Sequence, residues 1–178
     1  KLPIPMLLCV WSINTFLIQK KLRGYVSINV QSGEALDTHS FATLIGVGAT
    51  TVNPYLAFDS LHQRFVKKLF GQFSFDDCVD RYIKSVNAGL LKIMSKMGIS
   101  VLSSYRGGCN FETVGLSRSI VNDYFPGVTS KISGIGLTGI EKKIREIHKE
   151  AFESSETVLP IGGIYRYRKN GETHQYQG

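Results

Sequence analysis

The sequence predicts an α/β fold of parallel βα units that form an open or partial barrel-like sheet flanked by helices, with a C-terminal β-hairpin. Short β-branched runs begin near residues 25, 50 and 99 and alternate with amphipathic helical patterns. Strands separated by helices are typical of parallel crossover units, and three strands are too few to close a barrel. Asn170-Gly171 stands between two alternating segments and predicts the hairpin turn.

The first βα unit follows an N-terminal helix in this prediction. An amphipathic pattern indicates a helix over residues 5–23, and Gly24 is expected to end it. The alternation of apolar residues over 25–30 predicts a strand. Asp37 or Thr38 is placed to cap a short helix before the second strand.

The longest helical pattern lies in the middle of the chain. Ser74 and Asp77 predict its N-terminal cap, and Gly98 its end. Residues 99–102 are expected to form a buried strand, and 103–108 the polar loop at its carboxyl end, where α/β proteins commonly bind ligands. One apolar stripe marks the buried face of the helix: Val79, Ile83, Val86, Leu90, Met94 and Met97.

The last third of the chain predicts further helices. Residues 111–125 are expected to be helical in pieces, with a break near residue 116 and a turn at 126–127. Thr138 and Glu141 form a capping-box pattern at the start of another helix. Its predicted inward residues are Ile140, Ile144, Ile147 and Ala151.

Composition restricts the class of protein. The 178 residues are 43% hydrophobic and 20% charged, which is typical of one globular domain. The widely spaced Cys9, Cys78 and Cys109 suggest neither a disulfide framework nor a zinc or iron–sulfur site, and free thiols fit a reducing cytoplasm. The apolar residues 6–11 are too few to span a bilayer, so we interpret them as part of a core helix.

Six polar residues are candidates for a functional face near the predicted strand ends: Lys96, Ser104, Tyr105, Arg106, Glu112 and His39. Arg106 is suited to clamping a carboxylate or phosphate, and the alternative is an ion pair with Glu112 that fastens a loop. Without a paired histidine motif, His39 is interpreted as a hydrogen-bonded residue rather than a metal ligand.

Three other patterns suggest different chemistry. Residues 134–139 spell G-x-G-x-x-G, a dinucleotide fingerprint that requires a preceding strand, whereas 131–133 are too short and polar to predict one. Residues 165–169 interleave tyrosines with cations, and with the net charge of +7 they suggest an alternative function, the binding of RNA or another polyanion. Cys109 follows two glycines and is interpreted as an inert cysteine, with a reactive thiol as the alternative.

Several longer motifs occur in the order in which they stand in one known family. They are Val30-Gln-Ser-Gly-Glu34, His39-Ser-Phe-Ala42, Leu44-Ile-Gly-x-Gly-Ala49, Val52-Asn-Pro-Tyr-Leu-Ala-Phe58, Lys92-Ile-Met-Ser-Lys-Met-Gly-Ile-Ser100, Ser104-Tyr-Arg-Gly107, Phe111-Glu-x-Val-Gly-Leu116 and Arg168-Lys-Asn-Gly-Glu-Thr-His174. Over nearly its whole length the chain resembles the later part of the central domain of the glutamate synthase large subunit.

The resemblance implies a structural function in ammonia assimilation and glutamate biosynthesis. In that family the central domain is a degenerate relative of the FMN barrel. It joins an amidotransferase domain to a domain that binds FMN and an iron–sulfur cluster, and it helps form an ammonia passage. The resemblance therefore implies no cofactor or catalytic residue in this segment, a partial central domain over residues 1–160, and a hairpin over 161–178 that leads toward the FMN domain. The six candidate residues become interface or passage-lining residues.

Some positions depart from the family pattern. Trp11 stands where the family has a small residue, and Asn14, Thr15 and Phe16 stand in the positions of a histidine run. Gly-Gly-Cys-Asn at residues 107–110 replaces the usual Gly-Ala-Gln-Ile. Because tryptophan is bulky, we expect less space at this point of the passage.

Overall fold

The parallel α/β prediction is confirmed, with the strands in two small sheets rather than one. The computed structural model describes residues 2–108, 110–153, 168–169 and 171. Within them the order of elements is α1 Met6–Gln19, β1 Asn29–Gln31, α2 Thr38–Gly46, β2 Thr51–Asn53, α3 Tyr55–Val66, α4 Phe75–Lys96, α5 Leu102–Tyr105, β3 Glu112–Leu116, α6 Arg118–Tyr124, β4 Thr129–Ile135 and α7 Leu137–Glu153.

Both sheets are parallel pairs joined by a helical crossover. β1 pairs with β2 in the register Asn29 to Thr51, and α2 connects them. β3 pairs with β4 from Glu112 and Thr129 onward, and α6 connects them. The described part of the chain therefore contains two βαβ units.

The strand predicted over residues 99–102 is wrong, although the predicted helix end at Gly98 is confirmed. Gly98 adopts φ 71°, and its N–H donates to the Ser95 carbonyl at 3.2 Å. The Ile99 N–H donates to the Met94 carbonyl at 2.9 Å, which completes a Schellman motif. Ile99 packs beside buried Met94, and α5 begins at Leu102. This apolar run therefore covers the end of α4 and does not pair with a strand.

The helix predicted over the first half of residues 111–125 is also wrong. Residues 112–116 form β3, in which Gly115 has φ 82°. The predicted break is confirmed, because Ser117 caps α6 and accepts a hydrogen bond from the Ile120 N–H at 3.4 Å. Thr113 and Val114 are β-branched and suit the pleated surface of a strand.

The ends of two helices show why a search for glycine misses some boundaries. α1 ends at Gln19, and Lys21 rather than Gly24 adopts the left-handed conformation, with φ 58°. Lys68 does the same after α3, with φ 56°. Helix ends of this kind are predicted from a glycine, so a lysine in the same conformation cannot be recognised from the sequence.

The predicted caps of α2 and α4 are confirmed, whereas that of α7 is wrong. The Asp37 carboxylate accepts from the Ser40 N–H at 2.8 Å, and Ser74 and Asp77 form a reciprocal capping box. α7 begins at Leu137, before Thr138, because the Gly136 carbonyl accepts its first helical bond from Ile140. Of the four residues predicted to face inward on α7, Ile147 and Ala151 are exposed.

The main core lies between α1, α2 and α6, with a contribution from α4. Trp11 and Phe125 meet edge to face, with ring centroids 4.8 Å apart. This packing agrees with the interpretation of residues 6–11 as part of a core helix. The buried members of the cluster are Val10, Trp11, Ile28, Val30, Ala35, Phe41, Leu44, Val47, Ala49, Val86, Ile120, Val121 and Phe125.

The predicted hairpin lies almost entirely outside the described residues. At its turn the Gly171 N–H donates to the Arg168 carbonyl at 2.9 Å. Both flanking segments, and the division of the chain at residues 160 and 161, remain predictions.

Candidate functional site

The six residues predicted to share a functional face lie on different elements, and their shared function remains a prediction. Lys96, Ser104, Glu112 and His39 are exposed, on α4, α5, β3 and α2. Among the described residues no hydrogen bond or ion pair joins any two of the six. Four of the six are therefore surface positions, whereas Tyr105 is buried and Arg106 is half-buried.

Tyr105 is part of the core and is not a loop residue. Its side chain is 2% exposed, and its hydroxyl donates to the Ala42 carbonyl of α2 at 3.1 Å. Burial raises the pKa of this phenol above its ordinary value of 10.0. Tyr105 therefore fastens α5 to α2, and the Gly107 N–H adds a bond of 2.8 Å to the Gly46 carbonyl.

The expected ion pair between Arg106 and Glu112 is wrong. Glu112 binds Lys131 of β4 at 2.7 Å, because the parallel register brings these side chains onto neighbouring strands. Arg106 is half-buried, and its Nε has no hydrogen-bond partner within the described ranges.

A pocket of about 280 Å³ lies against α1 and contains two polar side chains that are almost completely buried. Asn14 is 7% exposed and Thr15 is 6% exposed. We call this cavity the α1 pocket. Its walls include Trp11, Asn14, Thr15, Ile18, Val47, Gly107 and Pro126.

Arg23 fixes the orientation of the Asn14 amide. Its Nε donates at 2.6 Å to the Asn14 oxygen, and its two terminal nitrogens donate to the Val26 and Gly48 carbonyls at 2.8 and 2.7 Å. Because an arginine N–H only donates, the Asn14 atom beside it must be Oδ1 rather than Nδ2. Gly48 has φ 119°, and a Cβ there would lie 2.6 Å from Asn14 Cγ. Glycine is therefore required for this close approach.

The second polar group of the α1 pocket is the Thr15 hydroxyl. It donates to the Tyr124 carbonyl at 3.4 Å, and so it connects α1 with the end of α6. The sequence contained a signal for this pocket: positions 11, 14, 15 and 18 are spaced to share one helix face. Polar residues on the face that carries a buried tryptophan indicate a polar cavity rather than a solvated surface.

The glycine motif at residues 134–139 does follow a strand, contrary to the expectation, and packing accounts for two of its glycines. A Cβ on Gly134 would overlap the backbone carbonyl of Gly115, so this glycine lets β3 and β4 approach. A Cβ on Gly139 would lie 2.8 Å from the Ile135 Cβ. This second glycine lets α7 pack against β4, and both glycines have a structural function in the sheet–helix unit.

In the described ranges no group of three or more histidine, cysteine or acidic side chains converges in a geometry that would hold a metal ion. Cys9 is half-buried on α1 and Cys78 is buried on α4, while Cys109 lies outside the described residues. Of the helices described, none combines the length and apolar character needed to cross a bilayer.

The comparisons with known proteins point to one family. Residues 1–117 match the family model described as glutamate synthase central domain. The chain is 52% identical over 175 residues to the glutamate synthase [NADPH] large chain of Azospirillum brasilense, an alignment that covers 98% of this chain and 12% of that protein.

Other relatives show the same relation. The chain is 43% identical to the glutamate synthase [NADPH] large chain of Bacillus subtilis, over 98% of this chain and 11% of that protein. It is 38% identical to the chloroplastic ferredoxin-dependent glutamate synthase of Spinacia oleracea, over 96% and 11%. The chain thus spans about one-eighth or less of the length of these relatives. It belongs to the glutamate synthase central-domain family.

Proposed function

We propose that this chain acts as the structural central segment of a glutamate synthase large chain in the cytoplasm. In this proposal it packs between the amidotransferase and FMN domains, forms part of the surface along which ammonia moves, and is non-catalytic alone. Residues 161–178 lead toward the FMN domain. One observation carries the proposal. Almost all of this chain aligns, at 52% identity, with a segment that makes up only 12% of a glutamate synthase large chain.

The surface supports a position among other domains. A groove of about 440 Å³ between α1 and α7 is lined almost entirely by apolar side chains, and Glu141 is the charged residue among them. Ile147 and Phe152 continue the apolar surface along α7 and are exposed. An apolar surface of this extent commonly marks an interface.

In the part of the chain that the structure describes, the side chains do not fit the cofactors that the resemblance implies for the intact enzyme. Cys9 and Cys78 lie on α1 and α4, separate elements that do not supply a cysteine trio for an iron–sulfur cluster. Two glycines of the dinucleotide-like motif, Gly134 and Gly139, are required by the packing of β3, β4 and α7. We therefore assign the flavin and the cluster to other domains of the parent enzyme.

A chimera tests the proposal. The 175 aligned residues of the Azospirillum brasilense large chain are replaced by this chain, and glutamine-dependent glutamate formation is measured. We expect the chimera to retain activity within about tenfold of the parent, because a packing segment with this identity preserves most contacts. The control replaces the segment with a flexible linker of equal length, which should abolish glutamine-dependent glutamate formation. A chimera that folds and binds its cofactors but is as inactive as the linker control would contradict the proposal.

A further inference from the structure

We propose that Arg106 forms a binding site for a carboxylate group, which its guanidinium holds through Nε and one terminal nitrogen. This inference goes beyond the proposed function, which assigns no ligand to any residue of this chain. The carboxylate belongs either to an acidic side chain in another domain of the parent chain or to a small free acid. Both sources present the same two oxygens to the same planar group.

The Arg106 side chain carries a buried donor without an acceptor. Its Nε is buried and has no hydrogen-bond partner within the described ranges. A guanidinium keeps its charge in proteins, so this donor cannot become neutral. Buried charged donors are normally paired, because an unpaired one loses the hydrogen bonds that it would make in water. The unpaired Nε therefore indicates that an acceptor from outside these residues completes the site.

The acidic residue nearest to Arg106 in the sequence is already paired. Glu112 binds Lys131 at 2.7 Å, between the neighbouring strands β3 and β4. The other ion pairs among the described residues both lie within α7. In the described part of the chain, no acidic side chain therefore neutralises Arg106.

The backbone that carries Arg106 is held on both sides. The Tyr105 hydroxyl donates to the Ala42 carbonyl at 3.1 Å, and the Gly107 N–H donates to the Gly46 carbonyl at 2.8 Å. The Arg106 side chain is half-buried, so its Nε edge can turn toward a ligand while the backbone stays in place. A site on a fixed backbone loses little conformational entropy when a ligand binds.

The loop after α5 favours a carboxylate over a phosphate. Phosphates are commonly bound by several backbone N–H groups. The N–H groups of residues 106–108 already donate to carbonyl oxygens of α5 and α2, at 3.0, 2.8 and 3.2 Å. The Asn110 amide is also occupied, because it donates to the Tyr105 carbonyl at 3.2 Å. The guanidinium remains as the donor, and its two parallel N–H groups match the two oxygens of a carboxylate.

A titration with acetate tests the site, with inorganic phosphate as the comparison. The ¹⁵N-labelled chain is titrated at constant pH and ionic strength, and the shifts of the Arg106 Nε–Hε group and of the Gly107 backbone amide are followed. We expect saturable shifts with acetate and about fivefold weaker binding of phosphate, the effect of one hydrogen bond that the loop does not supply. The absence of a saturable acetate shift, or phosphate binding as tight as that of acetate, would overturn the proposal.

Substitutions connect the shifts to the guanidinium. Arg106→Gln removes the charge and should abolish the saturable shift of the Gly107 amide. Arg106→Lys keeps the charge without the planar pair of donors and should weaken acetate binding about fivefold. Arg118→Gln removes an exposed arginine of α6 and is the matched control. Acetate binding by folded Arg106→Gln or Arg106→Lys that is as tight as that of the control would overturn the inference.

Modification of Arg106 by phenylglyoxal, mapped by mass spectrometry, identifies the source of the carboxylate. In the isolated chain acetate should slow the modification in proportion to the fraction of sites that it occupies, and equal rates with and without acetate would overturn the proposal. In the chimera described above, slow modification without acetate assigns the carboxylate to an acidic side chain of the large chain. Slow modification that requires acetate assigns it to a free acid.

The chimera also separates this inference from the proposed function. Rapid modification of Arg106 in the chimera, both with and without acetate, would overturn the carboxylate site. If that chimera is active, the proposed function is unaffected. An inactive chimera in which Arg106 is protected refutes the proposed function alone.

Discussion

Arg23 joins three segments of the chain through one planar group. Its nitrogens donate to Asn14 of α1, to the Val26 carbonyl before β1 and to the Gly48 carbonyl after α2. Guanidinium geometry allows these bonds to form simultaneously in one plane, and the compact ammonium group of lysine has no equivalent. Removing this side chain lowers the stability of the fold partly because it leaves these oxygens without a hydrogen-bond donor.

Arg23→Leu should therefore lower the free energy of unfolding by about 2–4 kcal/mol, because the buried Asn14 amide and the Gly48 carbonyl both lose a charged donor. Arg23→Lys should recover less than half of this loss. Urea unfolding midpoints give the comparison, with Lys92→Ala on the exposed surface of α4 as a control. A cost for Arg23→Leu no larger than that of the control would contradict the assigned bonds.

The Asp37 carboxylate adds a pH-dependent contribution at the start of α2. Hydrogen bonds from the Ser40 hydroxyl and N–H lower the pKa of Asp37 below its ordinary value of 3.8. A lowered folded-state pKa contributes stability above the unfolded pKa, and this stability is lost as pH falls through the folded pKa.

We expect Asp37→Asn to unfold at a lower temperature than the unsubstituted chain at pH 7, with a difference that shrinks as pH falls below 3.8. Ser40→Ala should reduce the same pH dependence, because it removes the hydroxyl that donates to Asp37. Thermal unfolding from pH 7 to pH 2 measures both effects. A difference between the unsubstituted chain and Asp37→Asn that is constant with pH would contradict the assignment.

At the scale of elements, the β3–α6–β4–α7 unit depends on close approach of backbones. A Cβ at Gly134 would overlap the Gly115 carbonyl of the neighbouring strand, and that neighbour is backbone rather than a side chain that can rotate away. β3 also contains register irregularities between Thr113 and Val114 and between Val114 and Leu116. Because the atoms that meet the added methyl group belong to the Gly115 backbone, the strand pair has little freedom to absorb it.

Gly134→Ala should destabilise the chain by more than 2 kcal/mol, because it forces the two strands apart. Gly24→Ala is the matched control. No heavy atom lies within 4 Å of its added Cβ, so we expect a change of at most about 0.5 kcal/mol. Equal unfolding midpoints for the two variants would refute the packing explanation of the glycine motif.

At the scale of the whole molecule, local signals were predictable and long-range ones were not. The Ser74–Asp77 cap and the glycine after Met97 act within a few residues, and the sequence predicted both. Tyr105 looked like a loop residue because its partner, Ala42, is 63 positions away in the chain. The Asn14–Arg23 bond spans only nine positions, and it depends on the turn at Lys21, a non-glycine residue with positive φ that carries no signal in the sequence.

Long-range pairing also explains why one of two similar short segments forms a strand and the other does not. Residues 99–102 and 112–116 are both short and β-branched, so their composition does not distinguish them. The first run follows the Schellman motif at Gly98, whereas the second meets a parallel partner at Thr129. Pairing decides between a helix end and a strand, and pairing depends on where the rest of the chain folds.

The central claim is that this segment contributes packing and a guiding surface but no reactive centre. The most direct test is to purify the isolated chain after expression in a flavin-supplemented medium, record its visible spectrum, and assay its turnover of glutamine and of 2-oxoglutarate. The account predicts a colourless protein that converts neither compound above a buffer blank. A flavin spectrum at one flavin per chain would contradict the account. So would an activity toward glutamine or 2-oxoglutarate that copurifies with the chain.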